Sequence, residues 1–362
     1  MTKPKPNKTS QVLPLYQPGK SSTSFTDKPL IKLSSNENPF GMAISVNDLQ
    51  TLTDLSRYPN STNNPLILEL IQKHAVTSDN LILGNGSDEL FQLVAMSFLD
   101  SGDEVISSEH TFSIYQIATL ARGATYIEVP MKNYTYDLKG ILTAITPKTR
   151  VIFIANPNNP TGTFLTANDI ANFMNKVPSH VLVVLDEAYK DYVITEELDH
   201  NVSLLASHKN ILITRTFSKM YGMAGFRLGY GLSSPAIIAA LLRVKMPFNI
   251  NQYALHAGCL ALQNTSFYDS CKTANLTGMT RILDTFKDSD VVCLPSHGNF
   301  ICIMFEQLSG KEVFQFFINN GIIVRDLSSF GIPNGIRVTI GKPEQVSDFI
   351  DNLKTLLKEK IS

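Results

Sequence analysis

Lys219 is the residue around which chemistry can be built. It stands in Arg215-Thr216-Phe217-Ser218-Lys219-Met220-Tyr221-Gly222-Met223-Ala224-Gly225-Phe226-Arg227-Leu228-Gly229. An apolar run, Ile211-Leu212-Ile213-Thr214, precedes it and reads as a buried strand. A lysine at a strand end, crowded by apolar neighbours and a second cation, can form a Schiff base with an aldehyde. Ser218 and Arg227 are groups that could hold a phosphate beside it. Taken alone, the same residues also describe an exposed lysine with an arginine on the next turn, because lysine is usually solvated. Partners elsewhere in the chain have to decide between the two.

Those partners are sought just after each apolar run, since ligands of open α/β sheets bind beyond the strand ends. Leu81-Ile82-Leu83 leads into Gly84-Asn85-Gly86-Ser87-Asp88-Glu89. Gly86 frees the backbone, and Ser87 and Asp88 open a helix whose first N–H groups can face a phosphate; a plain helix cap would look similar. Glu104-Val105-Ile106 leads to Thr111-Phe112, and Phe112 is either a core ring or one that stacks on a flat ligand. Val151 to Ile154 leads to Ala155-Asn156-Pro157-Asn158-Asn159-Pro160-Thr161-Gly162, a rigid turn that fixes the Asn159 amide where it can bond a phenolic oxygen. Val181 to Leu185 ends in Asp186-Glu187-Ala188-Tyr189. A carboxylate there is costly unless a cation meets it. A protonated pyridine nitrogen is one such cation, and a helix cap or a bound magnesium is the alternative. Together the strand ends offer a phosphate loop, a stacking aromatic, an amide, an acid and an amine. These are the partners of one flat, phosphorylated ring, pyridoxal 5'-phosphate.

The elements that must position these residues alternate regularly. A short strand is predicted over residues 31–34, a short helix within 45–55 and a helix over 65–75 with Leu66, Ile67, Leu70 and Ile71 on one face. Strands and helices then alternate to about residue 232. The strand runs are continuously apolar, which predicts an α/β domain with a mostly parallel seven-stranded sheet sandwiched by helices. Helices over 236–244 and 253–262 lead out of it. Beyond about residue 265 a long helix, short strands at 291–293, 300–305, 322–324 and 336–340, and helices over 311–319 and 344–358 predict a smaller α+β module with an antiparallel or mixed sheet. The expected division is 1–44 as N-terminal arm and part of the small domain, 45–265 as the large domain, and 266–362 as the small domain. Residues 1–30 read as an irregular arm.

Composition excludes several classes. Of 362 residues, 43% are hydrophobic and 17% charged, enough for a large core and too few charges for a disordered chain. The formal net charge of -1 argues against nucleic acid as a partner. Cys259, Cys271, Cys293 and Cys302 match no zinc or redox spacing and read as reduced apolar residues, with metal sites not expected. The polar, Lys/Pro-rich start carries no signal peptide pattern, and no run reaches the ~18 apolar residues of a membrane span. A cytoplasmic protein without membrane contact is expected.

The chain resembles the fold type I, class I/II pyridoxal-phosphate-dependent aminotransferases. The resemblance rests on Asn156 to Gly162, on Ser218-Lys219 with Arg227, and on Asp186-Glu187-Ala188-Tyr189. The resemblance extends through the Arg325 to Arg337 segment, and Tyr16-Gln17-Pro18-Gly19-Lys20 and Asn36-Glu37-Asn38-Pro39 make the chain most similar to the histidinol-phosphate subgroup. The resemblance implies that Lys219 carries the cofactor and shuttles a proton, that Asp186 pairs with the pyridine nitrogen, and that Asn159 and Tyr189 bond the ring oxygen. It implies that Phe112 stacks on the ring (many relatives have tyrosine there), and that Ser87, Asp88, Ser218 and Arg227 hold the cofactor phosphate. Arg325 and Arg337 are the implied anion partners, with Tyr16 and Asn36 near the substrate. Tyr58 is expected to reach the cofactor of a second subunit in a homodimer. The implied reaction is amino transfer from L-histidinol phosphate to 2-oxoglutarate. An aromatic-amino-acid aminotransferase or a threonine-phosphate decarboxylase is the alternative within the family. A pyridoxal-phosphate-sensing regulator would need a DNA-binding module, for which the arm has no helix-turn-helix pattern. A nicotinamide dehydrogenase would need a glycine fingerprint that the loop at Gly84 lacks.

Overall fold

The computed structural model describes residues 4–14, 16, 30–52, 55–60, 64–194 and 200–361. Gln17 to Lys20 and much of the expected arm lie outside the described residues. Within the arm, Lys8–Val12 is a short helix whose first turn is capped by the Asn7 side chain, and it lies against helix Ile114–Ala121.

Strand β1 (Ile31–Lys32) is followed by β2 (Leu81–Gly84), β3 (Glu104–Ser108), β4 (Thr125–Val129), β5 (Thr149–Ala155), β6 (Leu182–Asp186), β7 (Ile211–Thr216) and β8 (Gly229–Ser233). The last seven form one sheet in the order β2-β8-β7-β6-β5-β3-β4. Strands β3 to β7 are parallel, as the apolar runs predict, whereas β8 runs antiparallel to both β7 and β2. Pleating sends alternate residues to opposite faces. On β5, Ile152 and Ile154 enter one core while Val151, Phe153 and Ala155 enter the other. Both faces are therefore dry, and the polar residues collect at the strand ends.

Beyond the long helix Thr265–Phe286 come β9 (Val291–Cys293), β10 (Phe300–Phe305), β11 (Ile322–Ile323), β12 (Arg325–Asp326) and β13 (Gly335–Thr339). A four-stranded antiparallel sheet is built in the order β12-β13-β10-β9. One face packs Ile301, Ile303, Ile336 and Val338 against the helices Gly310–Asn319 and Pro343–Ile361. Helix Gly310–Asn319 starts cleanly because Ser309 and Glu312 form a capping box. Strand β1 pairs in parallel with β11, and Leu33 joins this second core. Among the described residues no helix is long and apolar enough to cross a membrane.

Sequence patterning misses β12, a charged pair of residues, and helix His200–Ser207, whose apolar residues Val202, Leu204, Leu205 and Ala206 do not fall on one face. That helix matters because it delivers Asn201 to a buried ion pair. Arg215 on β7 places Nε and Nη2 each 2.8 Å from Glu187 Oε2, and Asn201 Nδ2 donates to Glu187 Oε1 at 2.7 Å. Both charged side chains are buried, so removing one leaves the other uncompensated. Arg215→Met is expected to lower the unfolding free energy of the cofactor-free protein by about 3–5 kcal/mol in urea titrations. A loss below about 1 kcal/mol would mean that the pair holds little of the sheet edge.

Candidate functional site

A cleft of about 190 Å³ lies at the carboxyl ends of β5, β6 and β7, facing the open side of the smaller sheet. Its floor is set by the large sheet. Asp186 ends β6 and is only 5% exposed. Tyr115 Oη donates to its Oδ2 at 2.6 Å, while Ala188 N at 3.1 Å and Thr214 Oγ1 at 3.3 Å donate to Oδ1. No cationic side chain is paired with it among the described residues. Burial therefore dominates, and the carboxyl is pushed up to about 6, with the Tyr115 hydrogen bond opposing the rise.

Lys219 comes after β7 in a tight loop closed by Gly222 N to Lys219 O at 3.1 Å. Gly222 has φ +66°, and any Cβ there would strike the Gly41 carbonyl, so only glycine lets these two loops meet. Lys219 Nζ donates to Ser35 O at 3.2 Å and stands 5.5 Å from the centre of the Tyr189 ring. Tyr189 Oη accepts from Asn36 Nδ2 at 2.8 Å. Asn36 is buried, and its own N–H donates to Thr339 Oγ1 at 2.9 Å on β13.

Helix Gly86–Phe98 opens beside Lys219, and its Asn85 cap makes no side-chain cap bond, so its first N–H groups face the cleft. Gly86 has φ +71°, and a Cβ there would sit 2.5 Å from Arg227 Nη2. Gly229 lies as close on the other side, where a Cβ would be 2.7 Å from Ser87 N. Arg227 reaches Ser218 Oγ at 3.4 Å and Asp88 Oδ2 at 3.3 Å. The result is a small cradle of N–H groups, hydroxyls and one guanidinium, suited to an anion.

The opposite wall is cationic. Arg325 and Arg337 are direct cross-strand partners on β12 and β13. Like charges so placed repel unless an anion lies between them. Arg337 Nη2 donates to Ser34 O at 2.6 Å and Nη1 donates to Asn159 Oδ1. Its Nε is buried without a partner among the described residues, and its ring neighbour is Phe300, 5.4 Å away. Desolvation lowers this guanidinium to about 10, with the neighbouring Tyr189 pulling the other way. Arg325 stands over the Phe330 ring at 5.7 Å.

Of the residues singled out in the sequence, Tyr16, Asn36, Ser87, Asp88, Phe112, Asn159, Asp186, Tyr189, Ser218, Lys219, Arg227, Arg325 and Arg337 all line this one cleft. Tyr58 does not. It is 80% exposed and stacks on Phe248 at 4.4 Å, away from its own chain's cleft. Tyr115, Thr214, Thr339 and the Ser34 and Ser35 carbonyls escape sequence reasoning. For Tyr115 a signal was present, a tyrosine one helical turn after Phe112 on an otherwise apolar helix face.

The cleft fits pyridoxal 5'-phosphate on its own terms. A buried carboxylate has no cationic side chain beside it among the described residues, a glycine-lined cradle gathers N–H groups, hydroxyls and Arg227, and a primary amine lines the same cleft. The family model for aminotransferase class I and II matches residues 28–353. The chain belongs to the class I and II aminotransferases. It is 41% identical over 355 residues to histidinol-phosphate aminotransferase 2 of Pseudomonas fluorescens (strain Pf0-1), covering 96% of each chain. It is 41% identical over 330 residues to histidinol-phosphate aminotransferase 2 of Pasteurella multocida, covering 91% of this chain and 90% of that one. The fold matches histidinol-phosphate aminotransferase from Sinorhizobium meliloti in complex with pyridoxal-5'-phosphate, with TM-score 0.85, 24% identity and 92% of each chain covered.

The Asp186 carboxyl gives a stability test. Its folded-state value lies above that of the unfolded chain, so the folded protein binds the proton more tightly. Stability of the cofactor-free protein therefore falls as pH rises from about 4 through 6 and stays reduced above. Asp186→Asn is expected to be the more stable of the two at pH 8, by up to about 3 kcal/mol, with the gap closing toward pH 4. Urea unfolding across that range measures it, and a pH-independent gap would contradict the assignment.

Proposed function

We propose that this protein is a pyridoxal-phosphate-dependent aminotransferase acting on L-histidinol phosphate and 2-oxoglutarate, yielding imidazole-acetol phosphate and L-glutamate, as in histidine biosynthesis. The observation that carries the chemistry is one cleft holding a primary amine, a cation-less buried carboxylate and two facing arginines. The similarity to histidinol-phosphate aminotransferases over 96% of the chain supports the substrate. When bound, pyridoxal phosphate supplies a carbonyl that accepts the amino group and a ring that takes up the electron pair released at the substrate carbon.

The chain's own residues do the rest. Asp186 would meet the ring nitrogen and keep it protonated. Asn159 and Tyr189 would orient the ring oxygen, Phe112 would cover a ring face, and Ser87, Asp88, Ser218 and Arg227 would hold the phosphate in the glycine cradle. Lys219 Nζ is the base that takes the proton from the substrate Cα and returns it during transfer. Arg337 and Arg325 bind the anionic ends, phosphate of one substrate and carboxylates of the other, with Tyr16 and Asn36 near the substrate. The same arginine pair serves both half-reactions, so ping-pong kinetics are expected. Tyr58, exposed and stacked on Phe248, is offered to the cleft of a second copy in a homodimer, and the location is the cytoplasm.

Two measurements test this reading. The purified protein with added pyridoxal phosphate is expected to absorb in the visible, and Lys219→Ala to lose that band. A wild-type protein that stays colourless would sink the cofactor assignment. Comparison of kcat/KM for histidinol phosphate, phenylalanine and threonine phosphate is expected to favour the first by at least about tenfold, equivalent to about 1.4 kcal/mol of transition-state binding. A wide margin for phenylalanine would make it an aromatic-amino-acid enzyme instead.

A further inference from the structure

Tyr115 takes no part in the roles above, yet its hydroxyl is bonded directly to one of the residues that do. It sits in the first turn of helix Ile114–Ala121 and is 0% exposed. Its ring stacks on Phe153 of β5 at 4.7 Å with an interplanar angle of 3°. Phe91 closes on it edge-on at 5.1 Å, and Phe112 at 5.7 Å. A ring held by three others has one orientation, and that orientation aims the hydroxyl at Asp186 Oδ2, 2.6 Å away.

A plain core tyrosine would be better as phenylalanine here. Among the described residues its hydroxyl bonds only the carboxylate, and it lies in the wall of the cleft. Burial and the Asp186 charge both hold the phenol well above its ordinary range, so it remains a proton donor throughout. Asp186 Oδ1 is occupied by the Ala188 amide and Thr214, whereas Oδ2 accepts from Tyr115 alone among the described residues. An ionised carboxylate oxygen has room for a second donor. We propose that Tyr115 is a positioning residue for Asp186: its hydroxyl turns Oδ2 into the cleft and holds the carboxylate ionised before any ligand arrives, leaving one lone pair for a protonated ring nitrogen. This deepens the function proposed above and rests on its cofactor reading. The other groups that act on Asp186 are few. Asp88, at the start of helix Gly86–Phe98, opposes its ionisation, and Thr214 on β7 and the Ala188 N–H favour it. Tyr136 is neutral and faces Thr111 and Ser107. None replaces the Tyr115 hydroxyl at Oδ2.

Tyr115→Phe keeps the ring stack and deletes only the donor. Titration of cofactor-free protein with pyridoxal phosphate is expected to show about tenfold weaker binding, the equivalent of one charge-assisted hydrogen bond. In holoenzyme carrying pyridoxal phosphate labelled with ¹⁵N in the ring, the nitrogen resonance is expected to lose its protonated position at a pH about one unit lower than in wild type. Thr214→Val, which leaves Oδ2 untouched, is expected to shift that resonance less. A purely structural role for Tyr115 would change the melting temperature and leave the nitrogen titration where it was. Binding within about twofold of wild type together with an unmoved ¹⁵N titration would overturn the proposal. Failure of the wild-type protein to bind pyridoxal phosphate would overturn the function reading instead, so the two failures are distinguishable.

Discussion

A carboxylate buried at a strand end with no cation beside it is the constraint that organises this molecule. Desolvating Asp186 costs stability, and the three donors around it offset only part of that cost. Its neighbour in the chain is treated differently. Glu187, the very next residue, is matched by Arg215 with two contacts of 2.8 Å. One acid of an adjacent pair is neutralised and the other is not. That contrast marks Asp186 as waiting for a cation from outside the chain.

The second sheet carries the complementary imbalance. Arg325 and Arg337 face each other across β12 and β13, and Arg337 keeps a buried Nε that bonds nothing among the described residues. The large sheet thus carries an acid with no cationic side chain beside it among the described residues, and the small sheet carries two arginines. A ligand that satisfies both walls must be cationic at one edge and anionic at the others. A protonated pyridine with a phosphate, beside a substrate that carries a phosphate or carboxylates, has that distribution. A simple anion or a simple cation would leave one wall unbalanced.

Much of this was legible in the sequence because a buried parallel strand is a continuous apolar run, and the residues just after it lie at the carboxyl edge. Lys219, Asp186, Asn159, Phe112 and Ser87 were found by that reasoning, and all line one cleft. Residues whose role depends on register rather than on strand ends were invisible. Tyr115 and Asp186 are 71 positions apart and meet only because helix Ile114–Ala121 covers the β5 face at one rotation. The antiparallel run of β8 is hidden for a similar reason, since a short apolar strand carries no sign of its direction. Strand β12 is two charged residues, and hydropathy cannot mark it, although it supplies half of the arginine pair.

Three consecutive residues of the N-terminal segment join the two walls. The Ser34 carbonyl accepts from Arg337, the Ser35 carbonyl accepts from Lys219, and Asn36 bonds both Tyr189 and Thr339. Pairing of β1 with β11 anchors this segment to the smaller module, so the floor and the wall of the cleft share one strap. The acceptors it offers to the two cations are neutral. A carbonyl fixes the direction of an ammonium or guanidinium without cancelling its charge, whereas a carboxylate or phosphate supplies the opposite charge as well. The strap therefore holds Lys219 and Arg337 in place while leaving each free to prefer an incoming partner, as a site that exchanges substrates requires.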